Sequence, residues 1–193
     1  MIKPSMLKPG CRIGVVSPSY WLKKQYMEKT SKFFQDKGYT MVMGNSNSMK
    51  WGPFAGTPQE RADDIHHMFS NPKIEAIICA RGGYGANRVL PLLDYNLIRD
   101  NPKIFMGYSD ITAYLTSITQ KTGLVTFHGP MMVSYKKGFV NYNFQTMERI
   151  LNGTPDFKIE SPDSLPARIL KPGIAMGPLW GGNMTLLINR LGT

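Results

Sequence analysis

The chain has 193 residues, of which 42% are hydrophobic and 19% charged, a balance typical of a folded globular protein rather than a disordered one. No apolar run approaches the roughly 20 residues of a membrane span, and the N-terminus lacks the apolar segment of a signal peptide. The only cysteines, Cys11 and Cys79, lie in apolar segments, which favours buried free thiols over a disulfide framework or a metal site. These features predict a cytoplasmic enzyme that does not bind membranes.

The formal net charge is +10, since 23 Lys and Arg residues outnumber 13 Asp and Glu residues. The basic residues are scattered along the chain and are not interleaved with aromatic residues, as they are in nucleic-acid-binding motifs. We therefore expect no nucleic-acid partner, although the charge could help to attract an anionic substrate. The sequence contains no metal-ligand motif and no cofactor motif that would predict a bound group.

The predicted elements alternate between strand and helix. Apolar segments that predict buried strands lie at residues 11–17, 39–43, 74–80, 103–107 and 124–127. Helical patterns occupy residues 21–37, 57–71, 86–93, 111–122 and 143–151, and glycines follow the first and fourth of them. This alternation predicts an α/β fold with a mainly parallel sheet and flanking helices, a Rossmann-like N-terminal domain over residues 1–153.

The start of the second helix is marked most clearly. Thr57 is placed to be the N-cap, Pro58 occupies the first helical position and Glu60 the third, which together make a capping box with proline at its preferred site.

The sequence changes character after Gly153. Four prolines punctuate a stretch with little periodicity, which predicts a linker over residues 154–172. Residues 173–193 begin with Gly177-Pro178-Leu179-Trp180-Gly181-Gly182-Asn183 and continue into a helical run from Met184 to Leu191. One loop and one helix do not make a domain, so we expect these residues to be the beginning of a truncated C-terminal domain.

Three unusual segments follow predicted strands, at residues 81–85, 107–110 and 128–130. In open α/β sheets ligands bind at the carboxyl ends of the strands, so these segments are candidates for a functional site.

Gly107-Tyr108-Ser109-Asp110 has the strand, turn, serine and helix order of a nucleophile elbow, although Ile111 stands where G-x-S-x-G has its last glycine. Such a turn would lift the Ser109 hydroxyl above the sheet and place it at a helix start, whose N–H groups favour a developing oxyanion. The alternative, from spacing alone, is that Ser109 or Asp110 only caps the following helix.

Arg81-Gly82-Gly83-Tyr84-Gly85 is a glycine-rich turn that matches neither phosphate-binding motif. It could present backbone N–H groups to a reacting carbonyl, or its glycines could simply permit a tight turn. His128 follows the last strand and is either a base for Ser109 or a partly buried histidine bonded to nearby backbone. His66 and His67 point in different directions on one helix, so they do not predict a metal site.

Taken together, these segments resemble the LD-carboxypeptidases of peptidase family S66, which include the microcin C immunity peptidases. The resemblance covers nearly the whole chain in the same order. It rests on Phe54-Ala55-Gly56-Thr57 with Arg61 and Asp64, on Cys79 to Gly85, on Pro102 to Thr112, on Phe127-His128-Gly129-Pro130 and on Gly181-Gly182-Asn183.

The resemblance implies a Ser-Glu-His triad in which Ser109 is the nucleophile. It also implies an oxyanion hole made by the backbone N–H groups of Asp110 and Gly83, with Arg81, Gly82 and Tyr84 as candidate substrate-binding residues. The family's glutamate and histidine lie beyond the Gly-Gly-Asn segment, and no residue of this sequence matches either of them, His128 included. Because loss of a triad member costs roughly 10⁴ to 10⁶ in rate, we expect the 193-residue form to be inactive by itself.

The implied reaction is hydrolysis of an L,D-amide bond, such as release of the terminal D-alanine from a murein tetrapeptide during wall recycling. The resemblance implies a peptide or muropeptide as substrate, no cofactor and a homodimer. One alternative is immunity hydrolysis of a peptide–nucleotide antibiotic, and another is a non-catalytic α/β ligand-binding fragment.

Overall fold

A five-stranded, entirely parallel sheet forms the centre of the protein. The computed structural model describes residues 1–135, 138, 140–155, 158–159 and 168–192. The spatial order of the strands is β2-β1-β3-β4-β5, and in the register Gly14 of β1 lies opposite Val42 of β2 and Ile77 of β3. The strands are β1 (Arg12–Val16), β2 (Thr40–Met43), β3 (Ala76–Cys79), β4 (Ile104–Gly107) and β5 (Phe127–His128).

Helices cover both faces of this sheet. The helices are α1 (Lys24–Asp36), α2 (Pro58–Ser70), α3 (Ala86–Val89), α4 (Tyr95–Asp100), α5 (Thr112–Thr122), α6 (Asn141–Leu151) and α7 (Met184–Asn189). Short 3₁₀ turns occupy Asn45–Ser48, Leu90–Leu92, Ser109–Ile111 and Met132–Tyr135. Among the helices described, none combines the length and apolar character that crossing a membrane requires.

Alternate residues of each strand supply two separate cores. On β3, Ile77 and Cys79 pack with α2 to α5 on one face, whereas Ala76 and Ile78 pack with α1 and α6 on the other. Burial on both faces explains why the strands are continuous apolar runs rather than alternating ones. The α/β prediction is confirmed, and Cys11 and Cys79 are buried free thiols as expected.

Most predicted boundaries are confirmed within a few residues. The capping box is complete, because the Thr57 hydroxyl accepts the Glu60 N–H while the Glu60 carboxylate accepts the Thr57 N–H. Helix α4 was not predicted, and two further details were wrong. The helix predicted after Gly85 is split into α3 and a 3₁₀ turn at Pro91, whose ring lacks the N–H that a continuous helix needs. The last strand is shorter and includes His128.

Lys103 directly precedes β4 and is a buried lysine at the sheet edge opposite the carboxyl ends of the strands. Its ammonium donates hydrogen bonds to the carbonyl oxygens of Met68 (2.9 Å) and Asn71 (2.5 Å) at the end of α2. Burial lowers the pKa of Lys103 to about 8 from its ordinary value of 10.5. The folded state therefore binds fewer protons than the unfolded state between these two values, and stability rises with pH in that window.

We expect this effect to separate the wild type from Lys103→Met. Between pH 7.5 and pH 9.5 the difference in unfolding free energy should shift in favour of the wild type by about 1 to 2 kcal/mol. Urea denaturation at several pH values measures it. If the difference in unfolding free energy stayed constant from pH 7.5 to pH 9.5, the lowered pKa of Lys103 would be contradicted.

The C-terminal segment contacts the α/β unit through α7. The Asn183 N–H donates to the Thr112 hydroxyl (3.0 Å), the Asn183 side chain caps α7, and Arg190 donates to the Ser117 hydroxyl (2.6 Å). Large apolar side chains of this segment remain exposed, at Ile169, Leu170, Ile174, Met176, Leu179, Trp180, Met184, Ile188 and Leu191. Much of the predicted linker lies outside the described residues, and the division at residues 153 and 173 stays a prediction.

Candidate active site

The strand order places the candidate segments at one edge of the sheet. Ser17 follows β1, the glycine-rich turn follows β3 and Ser109 follows β4, and all these strands are parallel neighbours. The chain reverses its direction of sheet growth between β1 and β3, and crevices at such points bind ligands in open α/β sheets.

Ser109 has the backbone conformation of a nucleophile elbow. Its φ is +62°, and it is the only residue other than glycine with a positive φ in the part of the chain that the structure describes. An L-residue in this left-handed region is strained by about 1 to 2 kcal/mol, and strain of this kind is concentrated at functional sites. The conformation turns the chain sharply from β4 into α5.

The packing of Ile111 explains why the last glycine of the usual motif is missing. A Cβ added to Gly107 would lie 2.8 Å from Cγ2 of Ile111, so the isoleucine side chain occupies the space left by that glycine. Ile111 is fully buried and joins the core beneath the turn. The elbow is therefore tightened by a Gly107–Ile111 contact instead of by a second glycine.

Neither side chain of the turn caps α5. No side-chain capping bond is present at the start of the 3₁₀ turn or of α5. The half-buried Ser109 hydroxyl forms no hydrogen bond with any residue described here, and the Asp110 carboxylate is directed elsewhere. The capping alternative is therefore wrong, and the Ser109 hydroxyl is available at the sheet edge.

The strain at Ser109 leads to a stability prediction. Glycine adopts a positive φ without steric cost, and this relief of about 1 to 2 kcal/mol exceeds the roughly 0.5 to 1 kcal/mol of added chain entropy. Ser109→Gly should therefore be at least as stable as the wild type in thermal unfolding. The matched Ser117→Gly, inside α5, should be destabilised by about 1 kcal/mol or more. An equal loss in both variants would contradict strain at Ser109.

The glycine-rich turn lies directly against the elbow. A Cβ on Gly82 would be 2.9 Å from Cβ of Ser109 and 3.2 Å from the Asp110 nitrogen. Gly83 has φ +147°, and a Cβ there would overlap the Tyr20 ring. Among the described residues, the N–H groups of Gly83 and Asp110 donate no hydrogen bond, so both donors remain unused.

The Asp110 carboxylate is buried behind the elbow. One of its oxygens accepts the Ser19 hydroxyl (2.5 Å) and the Ala86 N–H (3.2 Å). Burial raises the pKa of Asp110, while these hydrogen bonds and the nearby Arg61 charge act in the opposite direction. The carboxylate joins the loop after β1, the end of the glycine-rich turn and the elbow.

Arg61 and Asp64 on α2 support the loops around the site from below. Arg61 is fully buried and donates to the Pro18 carbonyl (2.8 Å), which also accepts the Tyr114 hydroxyl (2.7 Å). The Arg61 guanidinium lies 5.1 Å from the centre of the Phe54 ring. Asp64 accepts the N–H groups of Asn45 and Ser46 in the loop after β2.

The remaining predicted residues are less closely associated with Ser109. The Arg81 guanidinium lies over the Tyr20 ring at 5.5 Å, and Tyr84 is 63% exposed. The His128 ring lies 6.3 Å from the ring of Tyr108. Within the described residues neither His128 nor any other residue forms a hydrogen bond with the Ser109 hydroxyl.

A cavity of about 750 Å³ is lined by Tyr108 of the elbow and by both residues of β5, although not by Ser109. Pro130, after β5, also contributes to its wall, as do Tyr142 and Thr146 of α6. The described residues include no group of three or more His, Cys, Asp or Glu side chains arranged to hold a metal ion.

Two residues of the site were missed by sequence reasoning. Ser19 and Tyr20 follow β1 in a loop with no motif, yet one bonds Asp110 and the other lies against Gly83. Their position after a strand at the sheet edge was the available signal, because every loop at that edge is a candidate.

Known proteins resemble this chain in sequence and in fold. The family model described as the LD-carboxypeptidase N-terminal domain (Peptidase S66) matches residues 13–129. A probable murein peptide carboxypeptidase of Bacillus subtilis is 36% identical over 205 residues, which cover 99% of this chain and 60% of the relative.

Two solved structures have the same fold. Microcin C7 self-immunity protein MccF in complex with aspartyl sulfamoyl adenosine superimposes with a TM-score of 0.84 at 29% identity, covering 98% of this chain and 65% of that one. Muramoyltetrapeptide carboxypeptidase from Oxalobacter formigenes gives a TM-score of 0.82 at 26% identity, covering 94% and 60%.

The chain therefore spans about 60% to 65% of the length of these relatives. The family match includes the glycine-rich turn and the strained serine, the two segments that the fold brings into contact. On this evidence the chain belongs to peptidase family S66, the LD-carboxypeptidases.

Proposed function

We propose that this chain carries the nucleophile of a serine LD-carboxypeptidase that releases the terminal D-alanine from a murein tetrapeptide in the cytoplasm. The observation that carries the proposal is the strained Ser109, whose unbonded hydroxyl lies against the glycine-rich turn, in which the Gly83 N–H is unused, as is the N–H of Asp110. Attack by the Ser109 oxygen on the carbonyl before D-alanine would place negative charge on the carbonyl oxygen. The N–H groups of Gly83 and Asp110 would stabilise that charge.

The chemistry needs a base, and the resemblance assigns it to a histidine oriented by a glutamate, beyond the residues of this chain. Such a histidine would take the Ser109 proton and return it to the amine of the leaving D-alanine. Water would then release the tetrapeptide's remaining tripeptide from the acyl-enzyme by the same route. The positive net charge of the chain favours an anionic substrate such as a muropeptide.

A second candidate is hydrolysis of an aminoacyl nucleotide. It is favoured by the superposition on MccF, whose structure holds aspartyl sulfamoyl adenosine. Both reactions use the same nucleophile and oxyanion donors, so they differ in the pocket that receives the leaving group. We propose the murein substrate first because the Bacillus subtilis relative, which covers 99% of this chain, is a probable murein peptide carboxypeptidase.

A substrate comparison tests the proposal. The longest open reading frame containing this chain would be assayed with murein tetrapeptide and with aspartyl sulfamoyl adenosine, each followed by mass spectrometry of the products. Release of D-alanine with the higher kcat/KM supports the murein assignment. Preferential hydrolysis of the sulfamoyl compound would replace it by the immunity activity, and no turnover of either would reject both. Size-exclusion chromatography with light scattering of the same protein would test the expected homodimer.

A further inference from the structure

The proposed mechanism uses the backbone N–H of Asp110 as an oxyanion donor, but it gives the buried Asp110 side chain no role. Asp110 is 5% exposed, and its carboxylate points away from Ser109 into the protein. A buried carboxylate is costly unless its charge is compensated, and here hydrogen bonds from Ser19 and Ala86 and the charge of Arg61 compensate it. Such a charge needs a structural reason at this position.

The two hydrogen-bond donors come from the loops on either side of the elbow. Ser19 is fully buried, its own carbonyl accepts the Ala55 N–H (3.1 Å), and the preceding Pro18 carbonyl is held by Arg61 and Tyr114. These hydrogen bonds hold the loop after β1 in place. Ala86 begins α3 directly after the glycine-rich turn, so its N–H fixes the end of that turn to the same oxygen.

We propose that the Asp110 carboxylate is a positioning residue that sets the separation of the Gly83 and Asp110 N–H groups. One residue would thus supply one oxyanion donor through its backbone and hold the turn carrying the other donor through its side chain. The Ser19 hydroxyl is the second part of this arrangement, because it bonds the Asp110 oxygen that also accepts the Ala86 N–H and so joins it to the loop after β1. This inference rests on the proposed function, since the separation matters only if both N–H groups receive the same oxygen.

Two variants test this role of the Asp110 carboxylate without removing either backbone N–H group. Ser19→Ala removes one hydrogen bond to the carboxylate, and Asp110→Asn preserves an acceptor but removes its charge. The matched control is Asp64→Asn. Asp64 is another buried carboxylate, on α2, and it accepts N–H groups of the loop after β2 rather than of the glycine-rich turn. Thermal unfolding of all three gives the stability loss for comparison.

The first readout is amide hydrogen exchange in the 193-residue chain, followed over residues 82–86. We expect exchange there to accelerate about 10-fold or more in Ser19→Ala and Asp110→Asn, as the loss of a hydrogen bond to a charged group implies. Asp64→Asn should accelerate exchange only around residues 44–48. Unchanged exchange of residues 82–86 in both site variants would overturn the proposal.

The second readout is the effect of each variant on kcat and on KM, measured separately, for D-alanine release by the longest open reading frame. A misplaced oxyanion donor weakens transition-state binding alone, so kcat should fall about 10-fold or more with KM nearly unchanged. A stability loss without any change of kcat would show a merely structural role and reject the proposal. If the unaltered protein releases no D-alanine, the proposed function has failed, and hydrogen exchange alone then decides whether Asp110 holds the turn.

Discussion

Ser109→Ala is expected to abolish D-alanine release by the longest open reading frame containing this chain, with kcat reduced roughly 10⁴- to 10⁶-fold. The Ser109 hydroxyl is the only group of the elbow that can form the acyl-enzyme, and its oxygen lies against Gly82 of the glycine-rich turn. The variant should retain substrate binding, because the N–H donors and the surrounding walls are unchanged. Steady-state kinetics and equilibrium binding of the tetrapeptide measure the two effects separately.

Ser117→Ala is the matched control for this prediction. Ser117 lies in α5, two turns beyond the elbow, and its buried hydroxyl accepts a hydrogen bond from Arg190. We expect Ser117→Ala to be less stable than the wild type but to have an unchanged kcat. If Ser109→Ala kept a kcat near that of the wild type, Ser109 would not be the nucleophile, and the resemblance would extend to the fold but not to the mechanism.

Gly83→Ala is the second change with a large expected effect. The φ of +147° is unfavourable for alanine, and the added Cβ would overlap the Tyr20 ring, so the turn must move away from the β1 loop. Movement of the turn displaces the Gly83 N–H from Ser109. Because loss of one oxyanion donor typically costs about 10² to 10³ in kcat, we expect a decrease of that order with KM little changed.

Gly123→Ala separates backbone strain from loss of the donor. Gly123 also has a positive φ, +77°, but a Cβ there would meet no atom within 4 Å, and the residue lies at the far end of α5. We expect it to be destabilised by about 1 kcal/mol with an unchanged kcat. Equal kcat values in the two glycine variants would mean that the turn after β3 contributes nothing to catalysis.

The periodic parts of the fold could be predicted because their signals are local. Residues 74–80 predict a doubly covered strand from composition alone, and Thr57, Pro58 and Glu60 define a helix start within four residues. The elbow was ambiguous at that level, since a serine at a helix start is more often a cap. Its φ of +62° and its contact with Gly82 distinguish the two interpretations, and both depend on how β3 and β4 pair.

The parts that could not be predicted depend on contacts between distant residues. Ser19 and Asp110 are 91 positions apart, and no spacing rule connects a serine after one strand with an aspartate after another. The roles of Arg61 and Asp64 likewise appear only when α2 is packed under the loops after β1 and β2. The sequence motif included Arg61 and Asp64 together. In the structure these two residues bond the loops around the site and do not bond Ser109.

The most direct test of the account is D-alanine release from murein tetrapeptide by the 193-residue chain and by the longest open reading frame that contains it, each with and without Ser109→Ala. We predict release only by the longer protein, and loss of that release on Ser109→Ala. Release by the 193-residue chain itself would contradict the assignment of the base to residues outside it, and His128 at the end of β5 would become the candidate base. Release that persists in Ser109→Ala would contradict the central claim that Ser109 is the nucleophile.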